Sequence, residues 1–415
     1  MDHLGVLCRC PGPSLSNLPP HMLQRQSLKR PLHGTSPAPT SPTPPTSRLT
    51  DGKRAVRKQV VRARRQATVE SATSKLDSLG VLCNHAVTEP TRRRYHKCYT
   101  SFVRWAAQRR LSLDAAPGMD AALTRRLDEM YTEGLPNTEG VYLVASVAFY
   151  HPTYRGDGKQ KLGRTRQALR GFAKLAPQAS RMPWPWEVVA MMANALAQAG
   201  SSEMALFMVM AFELYLRPGE ATKLRAVDLT PPVRNRPQHS YYTIVVAPSE
   251  CEDPTKTGEF DHALALDLPR HALLGPIVER HLEAKFGRGW RTRELASERR
   301  GQVSQLKIFD VKTPAIMAKL KGLMQNLKAN VGDIHLHRLR HAGASHDYIT
   351  GTRDLKEVRR RGRWLSWRSV RRYEKGARVA GLLHLLGEPL QDHAGKCADN
   401  IYRVLSNARS PVRGL

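Results

Sequence analysis

His337-Arg338-Leu339-Arg340-His341 opens, and Gly362-Arg363-Trp364-Leu365-Ser366-Trp367-Arg368-Ser369-Val370-Arg371-Arg372-Tyr373-Glu374 closes, the stretch around which this chain is organised. Between residues 337 and 378 it holds 13 Lys and Arg against 4 Asp and Glu. A polyanionic backbone is the natural partner of such a segment. His337 and Arg340 are three apart, so on a helix they share a face. An imidazole moves protons near neutral pH, whereas a guanidinium stays charged and grips two phosphate oxygens. Tyr373 adds a phenol, a poor nucleophile until surrounding cations favour its phenolate. Phosphate clamp, proton carrier and nucleophile together suit phosphoryl transfer without a metal.

Working outward, the apolar run Ser202 to Leu216 reads as a buried helix. It leads into Leu216-Arg217-Pro218-Gly219-Glu220-Ala221-Thr222-Lys223-Leu224-Arg225-Ala226-Val227-Asp228-Leu229. A charged Arg217 after such a run must be paired or serve a site, and Glu220 is its natural partner. Pro218 predicts a turn that exposes the guanidinium before a new helix. Tyr241 to Val246 is rich in strand formers, and His262 to Leu268 alternates well enough to pair with it. Thr255-Lys256-Thr257-Gly258 is the turn signal between them.

His-x-x-Arg-His, then Trp364, then a Tyr nine residues later, resembles the second signature box of the tyrosine recombinases, the phage-integrase family. Arg217, with Glu220 three on, Leu224 seven on and the Asp228-Leu229 pair ending the helix, resembles the first box. The resemblance covers roughly residues 85 to 380. It implies catalytic roles for Arg217, Lys256, His337, Arg340, Trp364 and Tyr373, with Glu220 and His341 in support. Lys256 corresponds to the Lys of a hairpin that reaches the scissile step, although residues 250–254 lengthen that hairpin here. Trp364 stands where many relatives have His; an indole N–H donates but carries no proton. Tyr215 stands where relatives usually carry a small residue. Attack by Tyr373 leaves a 3′-phosphotyrosine bond, and the retained phosphodiester energy removes any need for a nucleotide cofactor or metal. The expected function is site-specific recombination or integration from a mobile element. A type IB topoisomerase and an inert domesticated DNA-binding protein are the alternatives. Singly, each residue has a plainer role: His337 as a satisfied helix residue, Trp364 as core, Lys256 as an edge solubiliser.

The chain has 415 residues, 66 Lys and Arg and 36 Asp and Glu, a formal net charge of +30. Such a balance argues for nucleic acid as partner, and the resemblance implies double-stranded DNA. A membrane partner is not supported, because no long apolar run or basic amphipathic helix is present. The six Cys lack zinc-site spacing and read as reduced thiols. The N-terminus lacks signal-peptide character. The nucleus in a eukaryote, or otherwise the nucleoid-containing cytoplasm, is the expected compartment.

Residues 1–74 carry ten of the 28 Pro within the first 50 positions and read as a disordered Pro/Ser-rich tail. The basic run Lys53 to Arg65 reads as an import signal or a DNA arm. Residues 85–180 show helical periodicity, with Tyr99, Phe102, Val103 and Ala106 on one inward face and Arg92, Arg93 and Arg94 on a DNA-facing side. This resembles the family's helical core-binding domain. Pro183-Trp184-Pro185 begins the catalytic domain, 183–410. Within it, 287–307 reads as a basic loop at the DNA surface, and Asp333 as the N-cap of the His337 helix. Arg359, Arg360 and Arg361 read as DNA-backbone contacts. Ile401, Val404 and Leu405 read as a docking face for a neighbouring protomer, since the family works as a homo-oligomer, a tetramer on DNA. The expected fold is mainly α with a small β-sheet: a helical core-binding domain, then an α+β catalytic domain.

Overall fold

A computed structural model describes residues 80–177, 182–255, 258–374 and 376–408. The N-terminal tail, the Lys53–Arg65 run and Lys256 lie outside these residues. The chain is mostly helical with one three-stranded antiparallel sheet. No helix among the described residues is long and apolar enough to cross a membrane.

Four helices surround the first hydrophobic core: α1 (Glu89–Gln108), α2 (Ala116–Thr132), α3 (Asn137–Tyr150) and α4 (Gly163–Leu175). Pro90 and Pro117 occupy first turns, where the missing N–H costs nothing. Phe102, Trp105 and Ala106 of α1 meet Met119, Leu123 and Leu127 of α2 and Phe172 of α4. Val103, expected inward, is exposed. Trp105 takes the inward place and donates from Nε1 to Glu129 at 2.7 Å, so its polar end stays satisfied. Asp120 caps α4 from α2 by accepting from the backbone N–H of Thr165 at 2.8 Å and of Arg164 at 3.0 Å.

A second, larger core begins at Trp184. Helices α5 (Trp186–Gln198) and α6 (Ser202–Glu213) are each buried over nine consecutive residues, which is why neither shows a one-sided apolar stripe. The short α7 (Pro218–Ala221) follows. Strands β1 (Leu229–Thr230), β2 (Thr243–Val246) and β3 (His262–Ala265) pair in that order, Val246 opposite His262 and Thr243 opposite Ala265. Then come α8 (Leu274–Phe286), α9 (Trp290–Arg299), α10 (Thr313–Asn326), α11 (His337–Ile349), α12 (Leu355–Arg361), α13 (Trp367–Val370), α14 (Gly376–His384) and α15 (Glu388–Asn407).

Four expectations are corrected. The helix expected through Asp228 stops at Ala221; Leu224 and Ala226 instead bond to Ile308 and Leu306, forming a bridge between Arg225 and Lys307. The 287–307 stretch is not all loop, because buried Trp290 seeds α9 and Arg291 ties it to Glu279 and the Leu229 carbonyl. Asp333 does not cap α11: Leu336 is the N-cap, and the Asp333 carbonyl accepts from Arg338 at 2.7 Å. The C-terminal docking face is used within the chain. Ile401 and Leu405 are buried in the second core, where α15 lies along α5.

Candidate active site

The site is assembled around Glu220. Its backbone turn begins at Arg217, whose N–H donates to Glu220 Oε2 at 2.8 Å while its Nη1 donates to Oε1 at 2.5 Å. The same Oε2 accepts from Arg363 Nη2 at 2.6 Å and lies 3.7 Å from Arg340 Nη1. Burial works to raise the Glu220 pKa, but Arg363, the Arg217 N–H, Arg340 and Arg217 outweigh it and hold the carboxyl below its ordinary value. One ionised carboxylate thus gathers three guanidiniums from two distant parts of the chain.

Arg340 is 1% exposed. It donates from Nη1 to the Tyr215 carbonyl at 2.6 Å and from Nη2 to the Gly362 carbonyl. Its guanidinium sits 4.5 Å from the centre of the Trp364 ring. Burial, then the neighbouring charges of Arg217 and Arg363, push its pKa down to about 9, which leaves it protonated at neutral pH.

Gly343 makes this placement possible. A Cβ there would collide with the Phe212 carbonyl, so only glycine lets α11 approach the end of α6 this closely. Tyr215 follows α6 in the left-handed region, at φ 48°. Its carbonyl thereby meets Arg340 while its hydroxyl donates to buried Asp347. The departure from a small residue at 215 therefore has a structural partner in Asp347. Arg338, to which the sequence reading gave no role, anchors the start of α11. It donates from Nε to the Met182 carbonyl at 2.7 Å and covers Trp184 at 4.2 Å.

Tyr373 is 1% exposed, in a one-turn helix just after α13. Its hydroxyl lies 2.6 Å from His341 Nδ1 and donates to it when that nitrogen is unprotonated. The Trp364 ring lies 5.0 Å from the Tyr373 ring and 6.4 Å from the His341 ring. His341, expected only to support the site, is thus the direct partner of the phenol. His337 lies one turn earlier on α11, its ring 5.0 Å from that of His341. Gly362 must lack a Cβ because the Trp364 ring fills that space.

The β2–β3 hairpin expected to carry Lys256 forms. Its turn is closed by Thr255 N–H to the Glu259 carbonyl at 2.9 Å and Gly258 N–H to the Thr255 carbonyl at 2.8 Å. Lys256 itself lies outside the described residues. At the hairpin base, His262 has a lowered pKa from burial and from nearby Arg363.

The three arginines of α12 do not act alike. Arg361 is buried, donating to the Glu213 carbonyl at 3.2 Å and the Ala265 carbonyl at 3.0 Å, so it cannot contact a DNA backbone from here. Arg359 holds the segment before α13, donating to the Trp364 carbonyl at 3.1 Å and the Leu365 carbonyl at 2.7 Å. Arg360 is exposed. On α1, Arg92 is paired with Glu89, Arg93 is largely exposed, and Arg94 donates to Glu139 at 2.6 Å while covering Tyr142.

Behind the site, Glu213 is fully buried at the end of α6. It accepts from Arg270 Nε at 2.9 Å, from Tyr402 at 2.6 Å, and pairs with His271 at 2.8 Å. Burial raises its pKa, but His271, Arg270 and Tyr402 together bring it down to about 2. Sequence reading missed this network because its members are spread from Glu213 to Tyr402, with no spacing that links them. Arg363 was missed because it sits between two residues that the motif names.

Among the described residues, no group of three or more His, Cys, Asp and Glu is placed to hold a metal ion. No protein-family model and no curated protein matches this chain.

Proposed function

We propose that this chain cuts and rejoins DNA strands as a tyrosine recombinase. The observation that carries the reading is the meeting of Arg217 and Arg340 on Glu220, with the Tyr373 hydroxyl held by His341 across the Trp364 ring. The three segments involved are far apart in sequence, and only folding joins them. Their chemistry matches an in-line displacement at phosphorus.

In this mechanism Arg217 and Arg340 neutralise the non-bridging oxygens of the scissile phosphate. Tyr373 Oη forms a bond to phosphorus as its proton passes to His341 Nδ1. The bond from phosphorus to the 5′-oxygen breaks, and Lys256 protonates that oxygen. His337 contacts the phosphate. A 5′-hydroxyl from another strand then attacks the phosphotyrosine and reverses these steps. No net bond energy is lost, so no nucleotide is consumed. The net charge of +30 supports a DNA substrate, and the reading extends to a homo-oligomer on DNA.

The test is a nicked duplex drawn from the DNA that flanks the gene. Loss of the short fragment after cleavage leaves protein covalently trapped, visible on a denaturing gel. Tyr373→Phe abolishes trapping and retains binding. Trapping by the Phe variant removes Tyr373 as the nucleophile. Relaxation of supercoils without strand exchange favours a type IB topoisomerase instead.

A further inference from the structure

Arg363 is the third guanidinium on Glu220, and its chemistry is unfinished. Its side chain is 1% exposed. One nitrogen, Nη2, serves Glu220, but Nε and Nη1 are buried with no hydrogen-bond partner among the described residues. A buried donor left unpaired costs about 1–3 kcal/mol, and more on a charged group. Arg363 also adopts φ 54°, a left-handed conformation that glycine would take without strain. It brings a further cation beside Arg217, which together with burial lowers its own pKa. Backbone strain, like-charge repulsion and unfilled donors therefore coincide at one residue. Such features persist where a ligand uses them.

The surroundings define the ligand. Arg217 and Arg340 share the same carboxylate, and Glu259 is a second acidic group acting on Arg363, so two negative charges are set against three guanidiniums. His262 of β3 also feels the charge of Arg363, and its Nε2 is likewise buried without a partner among the described residues. An oxyanion answers both the charge surplus and the idle N–H groups. Next in the chain is Trp364, whose indole cannot carry the positive charge of a protonated imidazole.

We propose that Arg363 is a third phosphate-binding cation, donating from Nε and Nη1 to the oxygens of the scissile phosphodiester beside Arg217 and Arg340. The identity of that phosphate as DNA rests on the recombinase reading; the oxyanion site itself does not. In this role Arg363 supplies the cationic donor that Trp364 lacks.

The experiment pairs two measurements on wild type, Arg363→Gln and Arg363→Lys. The first is inorganic phosphate affinity, followed by intrinsic tryptophan fluorescence because Trp364 stacks at the site. The second is covalent capture of the nicked duplex. Arg363→Gln is expected to weaken phosphate binding at least about tenfold and to slow capture by about 10²–10³-fold, the loss typical of one oxyanion donor. Arg363→Lys keeps the ion pair to Glu220 and recovers part of both, which separates loss of the donor from loss of folding. Unchanged phosphate affinity or wild-type capture in Arg363→Gln overturns the proposal, as does a wild-type protein that binds no phosphate. Phosphate binding that depends on Arg363, in a protein that captures no DNA, upholds the oxyanion site and rejects strand cutting.

Discussion

The Tyr373 hydroxyl and His341 Nδ1 lie 2.6 Å apart, joining residues separated by 32 positions in the chain. This contact makes His341 the nearest base to the proposed nucleophile. Replacing it with Ala is expected to slow single-turnover DNA capture by about 10²–10⁴-fold, the range of a lost general base. DNA affinity in a gel-shift titration stays near wild type. A capture rate within a few-fold of wild type would assign proton removal elsewhere, with His337 next on the same helix.

The buried carboxylate of Glu213 gives the fold a defined acid limit. Its pKa is depressed from 4.5 to about 2. A depressed carboxyl contributes stability above its unfolded value and loses it as pH falls through the folded one. The contribution is about 3 kcal/mol at neutral pH, at about 1.4 kcal/mol per tenfold change in proton affinity. Glu213→Gln is therefore expected to unfold at lower urea at neutral pH, with the gap closing as pH falls from about 4 towards 2. A gap independent of pH would mean that Glu213 acts through packing alone.

Two glycines on helices consecutive in the chain offer a controlled comparison. Gly343→Ala forces a methyl group into the Phe212 carbonyl and is expected to cost about 1–3 kcal/mol. It also displaces Arg340, so capture falls with stability. Gly322, within α10, has open space where a Cβ would stand. Gly322→Ala is expected to be neutral or to stabilise by up to about 1 kcal/mol. Thermal melting of both variants checks the contrast; equal effects would place α11 further from α6.

The cis docking of α15 predicts a stability defect rather than an assembly defect. Ile401 is fully buried in the second core. Ile401→Ala is expected to cost about 2–5 kcal/mol by leaving a cavity. Melting measured over a range of protein concentrations, with sedimentation of the free protein, separates the cases. A lowered melting point with unaltered sedimentation fits docking within one chain; dissociation of an oligomer would show that the helix serves a partner.

Legibility varied with the kind of physical signal. Periodicity located α2 well, because one face alternates with solvent. It failed for Val103 and Trp105, two positions apart on one helix and so on different faces, one turned to solvent and the other to the core. The Arg217 and His337–Tyr373 stretches stood out because charged and aromatic residues are concentrated within them. The fate of Arg361 could not, since only the fold reveals carbonyls from Glu213 and Ala265 converging on it. His341 and Arg363 show the same limit: sequence names candidate side chains but not which nitrogen faces which oxygen.

Tyr215 ties several of these parts together through one residue. Its carbonyl holds Arg340, its hydroxyl holds Asp347, and its ring lies 6.4 Å from that of Trp364. A change at any of these four positions therefore bears on the other three. A chimera that took residues 202–217 from one relative and 337–364 from another would mix halves of a single joint. Each parent could be sound while the hybrid misplaces its guanidinium.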